Sequence, residues 1–144
     1  MVDIKTEITI RCPIEEVSSY ASDPDHAPEW YVNIDSAEWL TDKPLTLDSQ
    51  IAFKANFLGR ELAYVYQIEE FIPGEKLVLK TANGPFPMKT TYIWEKLGQH
   101  ETKMTLRNQG EPKGFSKVLT PFIAKLMKKA NQKDLKKIKE ILER

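Results

Sequence analysis

Towards the end of the chain the apolar residues recur with a helical period. From Phe115 they fall at Val118, Leu119, Phe122, Ile123, Leu126, Met127 and Ala130, the i, i+3, i+4, i+7 spacing of one helix face. The stripe slips near Asn131 and resumes at Leu135, Ile138 and Leu142. Pro121 lies inside the pattern. Either Thr120 caps a fresh helix with Pro121 at its first position, or a kink joins two segments. The principal helix is expected to start near residue 120, after a looser turn. A helix this long must bury its stripe against another layer.

The rest of the chain supplies that layer. Ile4, Thr6, Ile8 and Ile10 alternate with Lys5, Glu7, Thr9 and Arg11, which predicts a half-buried strand. Pro13 then opens a short helix with Ile14, Val17 and Tyr20 on its apolar side. Asp23-Pro24-Asp25 starts a second, with Asp23 as N-cap, running towards Trp30. Six further strands are expected over 34–41, 49–57, 61–70, 76–81, 88–97 and 102–109. Their connections are short. Leu58-Gly59-Arg60, Ile72-Pro73-Gly74-Glu75, Asn83 to Pro87 and Gly98-Gln99-His100 carry Gly and Pro where turns need them. The expectation is one α+β domain over residues 1–144. It comprises a curved antiparallel seven-stranded sheet wrapped around the long C-terminal helix, with two short helices after the first strand.

The faces of these strands predict what the helix covers. Ile4, Ile8, Ile10, Phe53, Phe57, Leu62, Tyr64, Tyr66, Ile68, Leu77, Leu79, Tyr92, Trp94, Met104 and Leu106 point inward. Thr6, Thr81, Thr90 and Asn108 are the polar members of that face, and no charged side chain is among them. Apolar walls with a few polar groups suit either a packed core or a small-molecule pocket.

Charge changes the picture little. The net charge is zero, but residues 1–50 hold 3 basic and 11 acidic side chains while residues 113–144 hold 10 and 3. The lysines at 117, 125, 128, 129, 133, 136, 137 and 139 mostly occupy the helix face opposite the stripe, where they keep it solvated and suit its C-terminal dipole. They could also dock an acidic protein partner. No Arg-rich or aromatic-interleaved basic motif points to nucleic acid. No apolar run is long enough for stable membrane insertion, and the charged N-terminus lacks the apolar core of a signal peptide. A single cysteine, Cys12, agrees with a reducing, cytoplasmic setting.

Catalytic chemistry is sparse. Two histidines and one cysteine do not supply a metal site, and neither a nucleophile elbow nor a phosphate loop is present, so no metal or cofactor is expected. His100 falls in a turn. His26, Asp35 and Glu38 are the remaining proton-carrying candidates, and solvated surface positions account for them more simply.

Three stretches carry a resemblance. Pro13-Ile14-Glu15-Glu16-Val17 through Tyr20-Ala21-Ser22-Asp23-Pro24 to Trp30 is similar to one family's opening motif. Tyr66 to Leu77, with its Pro73-Gly74-Glu75 turn, is similar to the family's strand–turn–strand hairpin. Asp134-Leu135-Lys136-Lys137-Ile138-Lys139 is similar to its usual ending. The chain thus resembles the START/Bet v 1-like (SRPBCC) superfamily, in its polyketide cyclase/dehydrase-like branch. The resemblance implies the helix-grip fold and a hollow between sheet and helix that holds a lipid-like, aromatic or polyketide-like molecule. Trp30, Phe53, Phe57, Tyr64, Tyr66, Tyr92 and Trp94 would line it, and Phe122, Leu126 and Met127 would close it. The alternatives are a cyclase or dehydratase working through Tyr hydroxyls, with His26 or Asp35 as proton carrier, and a partner-binding module. The family carries no universal catalytic residue to transfer.

Overall fold

Alternating burial along residues 2–10 marks one edge of a seven-stranded sheet. The computed structural model describes residues 2–57, 59–83, 87–110 and 120–144, without the side chains of Phe57 and Asn83. In chain order the elements are β1 (Val2–Ile10), α1 (Ile14–Ser22), a 3₁₀ turn (Pro24–His26), α2 (Ala27–Trp30), β2 (Ile34–Trp39), β3 (Gln50–Phe57), β4 (Arg60–Ile72), β5 (Lys76–Asn83), β6 (Met88–Gly98), β7 (Glu101–Gly110) and α3 (Thr120–Leu142). The looser turn expected before α3, with Phe115, Lys117, Val118 and Leu119, lies outside the described residues, as does the middle of the Asn83–Pro87 loop.

The sheet order is β1-β7-β6-β5-β4-β3-β2, and every neighbouring pair is antiparallel. Only β1 leaves the meander. It pairs with β7, so α1 and α2 carry the chain from one edge of the sheet to the other. Register breaks between Val65 and Tyr66 and between Ile68 and Glu70 interrupt the β4–β5 ladder. Bulges of this kind bend a strand and increase its twist, which helps the sheet curl around α3. Gly59 and Gly74 hold the β3–β4 and β4–β5 turns at φ of 75° and 81°, a region costly for other residues.

The helical starts follow local chemistry. Pro13 caps α1 rather than opening it. Asp23 accepts a hydrogen bond from the Asp25 N–H at 2.9 Å and starts the 3₁₀ turn, so the second predicted helix is split into that turn and the short α2. Pro121 occupies the first turn of α3, where its missing N–H costs nothing.

The main core gathers Ile10, Val17, Trp30, Ile68, Leu77, Trp94, Met104, Leu106, Leu135 and Ile138. The C-terminal half of α3 packs into it through Leu135 and Ile138, which are 1% and 0% exposed. Lys139 anchors that half to β1, donating to the Thr9 carbonyl at 2.7 Å. The outer face of the sheet carries ion pairs such as Asp3–Arg107 and Glu7–Lys103, whose solvent exposure leaves them little net effect on stability.

Candidate functional site

The concave face is divided across its strands into a filled part and a hollow part. On β3, Ile51 is fully buried while Phe53 and Ala55 border open space. On β4 the division falls between Ile68 and Tyr66, with Leu62, Tyr64 and Tyr66 on the open side. On β5 and β6 it falls at Leu79 and Tyr92, buried members of the core that also border the open space, and on β7 between Leu106 and Asn108. Sheet register aligns the open positions. Phe53 stands opposite Tyr64, Leu79 opposite Thr90, and Thr90 opposite Asn108.

Two hollows of about 100 and 150 Å³ result, sharing Tyr31, Ile34, Phe53, Tyr66 and Asn108. The larger is roofed by Met127, Ala130, Asn131 and Asp134 of α3. These positions stand at i, i+3, i+4 and i+7, so the middle of the helix covers space while its C-terminal part fills core. An apolar hollow of roughly 150 Å³ accepts a benzene-sized ring.

The polar groups of the cavity are neutral or nearly so. Tyr31 and Tyr92 share a hydroxyl–hydroxyl hydrogen bond. The Thr90 hydroxyl donates to Asn108 Oδ1 at 2.6 Å. Burial pushes the Tyr64 phenol up to about 12 and lifts Tyr31, Tyr66 and Tyr92 further above the ordinary tyrosine range. These hydroxyls therefore act as uncharged hydrogen-bonding groups rather than as bases. Asp134 is 3% exposed, and its Oδ1 accepts the Val32 N–H at 2.9 Å. Burial raises its carboxyl from 3.8 to about 7, against the lowering effect of that hydrogen bond. Removing a carboxylate from water disfavours its charged form. Asn131, 6% exposed, leaves its Nδ2 without a partner among the described residues.

The expected lining is partly displaced. Phe53, Tyr64, Tyr66, Tyr92 and Met127 border the hollows. Trp30 and Trp94 instead lie in the main core, 1% and 3% exposed. Trp30 is set there by α2, which lays it against Tyr31 and Tyr92 at ring separations of 4.0 and 6.0 Å. Trp94 lies two residues past Tyr92 on the filled side of the division. Phe122 is 56% exposed, because at ~100° per residue it is turned well away from Met127. Its neighbour Ile123 is the buried one, and Leu126 is half-buried at the side of the stripe. The Phe57 side chain lies outside the described residues.

His26 and Asp35 do not reach the hollows. His26 bonds Glu29 at 2.8 Å on the outside of the fold and stacks on Tyr20, and Asp35 is exposed and accepts from Asn56. Among the lining residues that the sequence reading missed are Tyr31, Ile34, Asn131 and Asp134. For the last two a signal existed: both are polar residues on the apolar stripe itself, where the pattern slips.

The profile of one family, described as polyketide cyclase/dehydrase and lipid transport, matches residues 1–143. The chain belongs to this family. Its fold is shared by solved structures of low sequence identity. A protein from Thermus thermophilus is 19% identical with a TM-score of 0.83, covering 96% of this chain and 94% of that one. A START superfamily protein from Mycobacterium smegmatis is 14% identical, also at 0.83, covering 99% and 98%. The Zhui aromatase/cyclase from a Streptomyces species is 13% identical at 0.80, covering 99% and 93%. No curated protein sequence matches significantly. As in other chains of this polyketide cyclase-like family, a seven-stranded antiparallel sheet grips a long C-terminal helix. No helix among the described residues is long and apolar enough to cross a membrane.

Proposed function

We propose that this polyketide cyclase-like domain binds or carries a hydrophobic small molecule between the concave sheet and the middle of α3. The observation that carries the reading is the composition of the larger hollow. Phe53, Ala55, Leu62, Tyr64, Tyr66 and Met127 surround it, and no Lys, Arg or His is among its lining residues. Apolar walls with a few fixed polar groups are the usual makeup of a small-molecule site. The family's description, which names lipid transport, supports the same reading.

The test is titration of the ¹⁵N-labelled protein with toluene, a neutral one-ring probe matched to the hollow, followed by NMR. Wild type should give saturable shifts. Ala55→Phe, which places a ring in the space, should abolish them without lowering Tm. Equal binding by both proteins, or none by wild type, would count against the reading.

A second reading is favoured by Asp134. A buried carboxyl with a pKa of about 7 can take up and release protons near neutrality, as a general acid or base requires. In a dehydratase-type reaction Asp134, not His26 or Asp35, would move the proton. Ligand extracted from the protein should then lose one water on incubation with wild type and stay unchanged with Asp134→Asn. Unchanged ligand with both proteins leaves carriage as the function.

A further inference from the structure

We infer that the bound molecule carries a neutral oxygen acceptor, a ketone- or ester-type carbonyl, at the end that meets Asn131 and Asp134. This rests on the hydrophobic-ligand reading above and assigns the chemistry of one end of that ligand.

Asn131 and Asp134 are one helical turn apart on α3, and both border the larger hollow. Residues at i and i+3 share a helix face, so the two present their polar ends to the same region. The Asn131 amide is enclosed, with its Nδ2 hydrogens unpaired among the described residues. A buried donor without an acceptor costs about 1–3 kcal/mol, and native interiors rarely leave one so. A ligand acceptor reached by a small rotation of that amide would remove the cost.

The remaining polar groups lean the same way. Tyr31 and Tyr92 hold two hydroxyl protons but share one hydrogen bond, so one proton stays available. Asn108 Oδ1 is an acceptor already taken by Thr90, and Asp134 Oδ1 is taken by Val32. With its proton on, Asp134 adds a further donor. Hydroxyl and carboxyl oxygens of the site can still accept, so the enclosed and unpaired Asn131 amide is what sets the preference for an acceptor.

Charged ligand ends fit less well. An anion would find no basic side chain in the lining and would face Asp134. A cation would pair with ionised Asp134 but would set its own N–H groups against the Asn131 amide hydrogens. A site built to hydrogen-bond one group rejects the analogue lacking it more strongly than a greasy wall rejects a change of size.

Three compounds of nearly one shape separate the possibilities: acetophenone, ethylbenzene and 1-phenylethylamine, the last charged at neutral pH. Binding to ¹⁵N-labelled full-length protein would be followed by NMR. Acetophenone should bind about tenfold tighter than ethylbenzene, the size of one net hydrogen bond, and should move the Asn131 side-chain NH₂ signals. In Asn131→Leu the ketone should lose its advantage while ethylbenzene binds as before, which also shows the variant to be folded. Equal affinity for ketone and hydrocarbon in wild type overturns the carbonyl inference but leaves hydrophobic binding standing. Tightest binding by the amine overturns it in favour of a cationic ligand. No binding of any of the three sinks both this inference and the reading it rests on.

Discussion

Replacing Asp134 by Asn should stabilise the protein, by an amount that grows with pH. The amide is nearly isosteric with the carboxyl and keeps an oxygen for the Val32 N–H, so the change removes a titrating group and little else. In the unfolded chain this carboxyl releases its proton near 3.8, and in the folded protein at about 7. Below the lower value both states are protonated, and burial of the group carries no ionisation penalty. Between the two values the folded state keeps a proton that the unfolded state has lost, so stability falls as pH rises. Above about 7 both states are ionised and the whole penalty is present. At ~1.4 kcal/mol per decade, the interval from 3.8 to about 7 amounts to about 4 kcal/mol. That is a large share of the roughly 5–15 kcal/mol that holds a domain folded. Paired urea titrations near pH 4, 6 and 8, read by tryptophan emission, measure it. The other carboxylates titrate in both proteins and cancel in the difference. The stability gained by Asp134→Asn should be close to nil near pH 4 and approach about 4 kcal/mol near pH 8. A constant offset across the three conditions would refute the reasoning, because it would mean that Asp134 ionises in the folded protein as it does in water.

Other positions give independent checks. Ile138→Ala should cost about 2–5 kcal/mol in chemical denaturation, because the side chain is fully buried in the core; Phe122→Ala, at an exposed position, should stay within about 0.5 kcal/mol and leave toluene binding intact. Gly110→Ala should destabilise by about 1–3 kcal/mol, since the new Cβ would lie 2.9 Å from the Pro87 carbonyl oxygen and press into the Met88 sulfur; an unchanged Tm would show that the β6–β7 edge gives way freely. Cys12, whose thiol is pushed up to about 12 by burial and then by its hydrogen bond to Glu16, should resist Ellman's reagent at pH 8 until urea unfolds the chain, because the thiolate is the reactive form.

The strands were legible because alternation records burial directly. Ile4, Phe53, Tyr92, Met104 and Leu106 all face inward as their spacing requires, and β4 and β7 extend only slightly beyond their expected ends. What alternation does not record is depth. It assigns Tyr92 and Trp94 to one face without saying that the open space begins at Tyr92. That division depends on where α2 lays Trp30 and on which half of α3 reaches the sheet, and both are long-range outcomes. The helix stripe was ambiguous in a different way. Paired apolar residues such as Phe122 and Ile123 differ by ~100° in direction, and only tertiary packing chooses between them. Asn131 and Asp134 were visible as a slip in the stripe. A polar residue on an apolar face looks like a fault in the pattern, whereas here it borders the cavity.

The central claim is that the space beneath the middle of α3 holds a hydrophobic molecule. A crystal structure of the protein grown with toluene tests it most directly. The account predicts aromatic density enclosed by Phe53, Tyr66 and Met127, with Trp30 and Trp94 unmoved in the core. Density for toluene elsewhere on the surface, with the Tyr64 and Met127 side chains folded inward to fill the space, would contradict it.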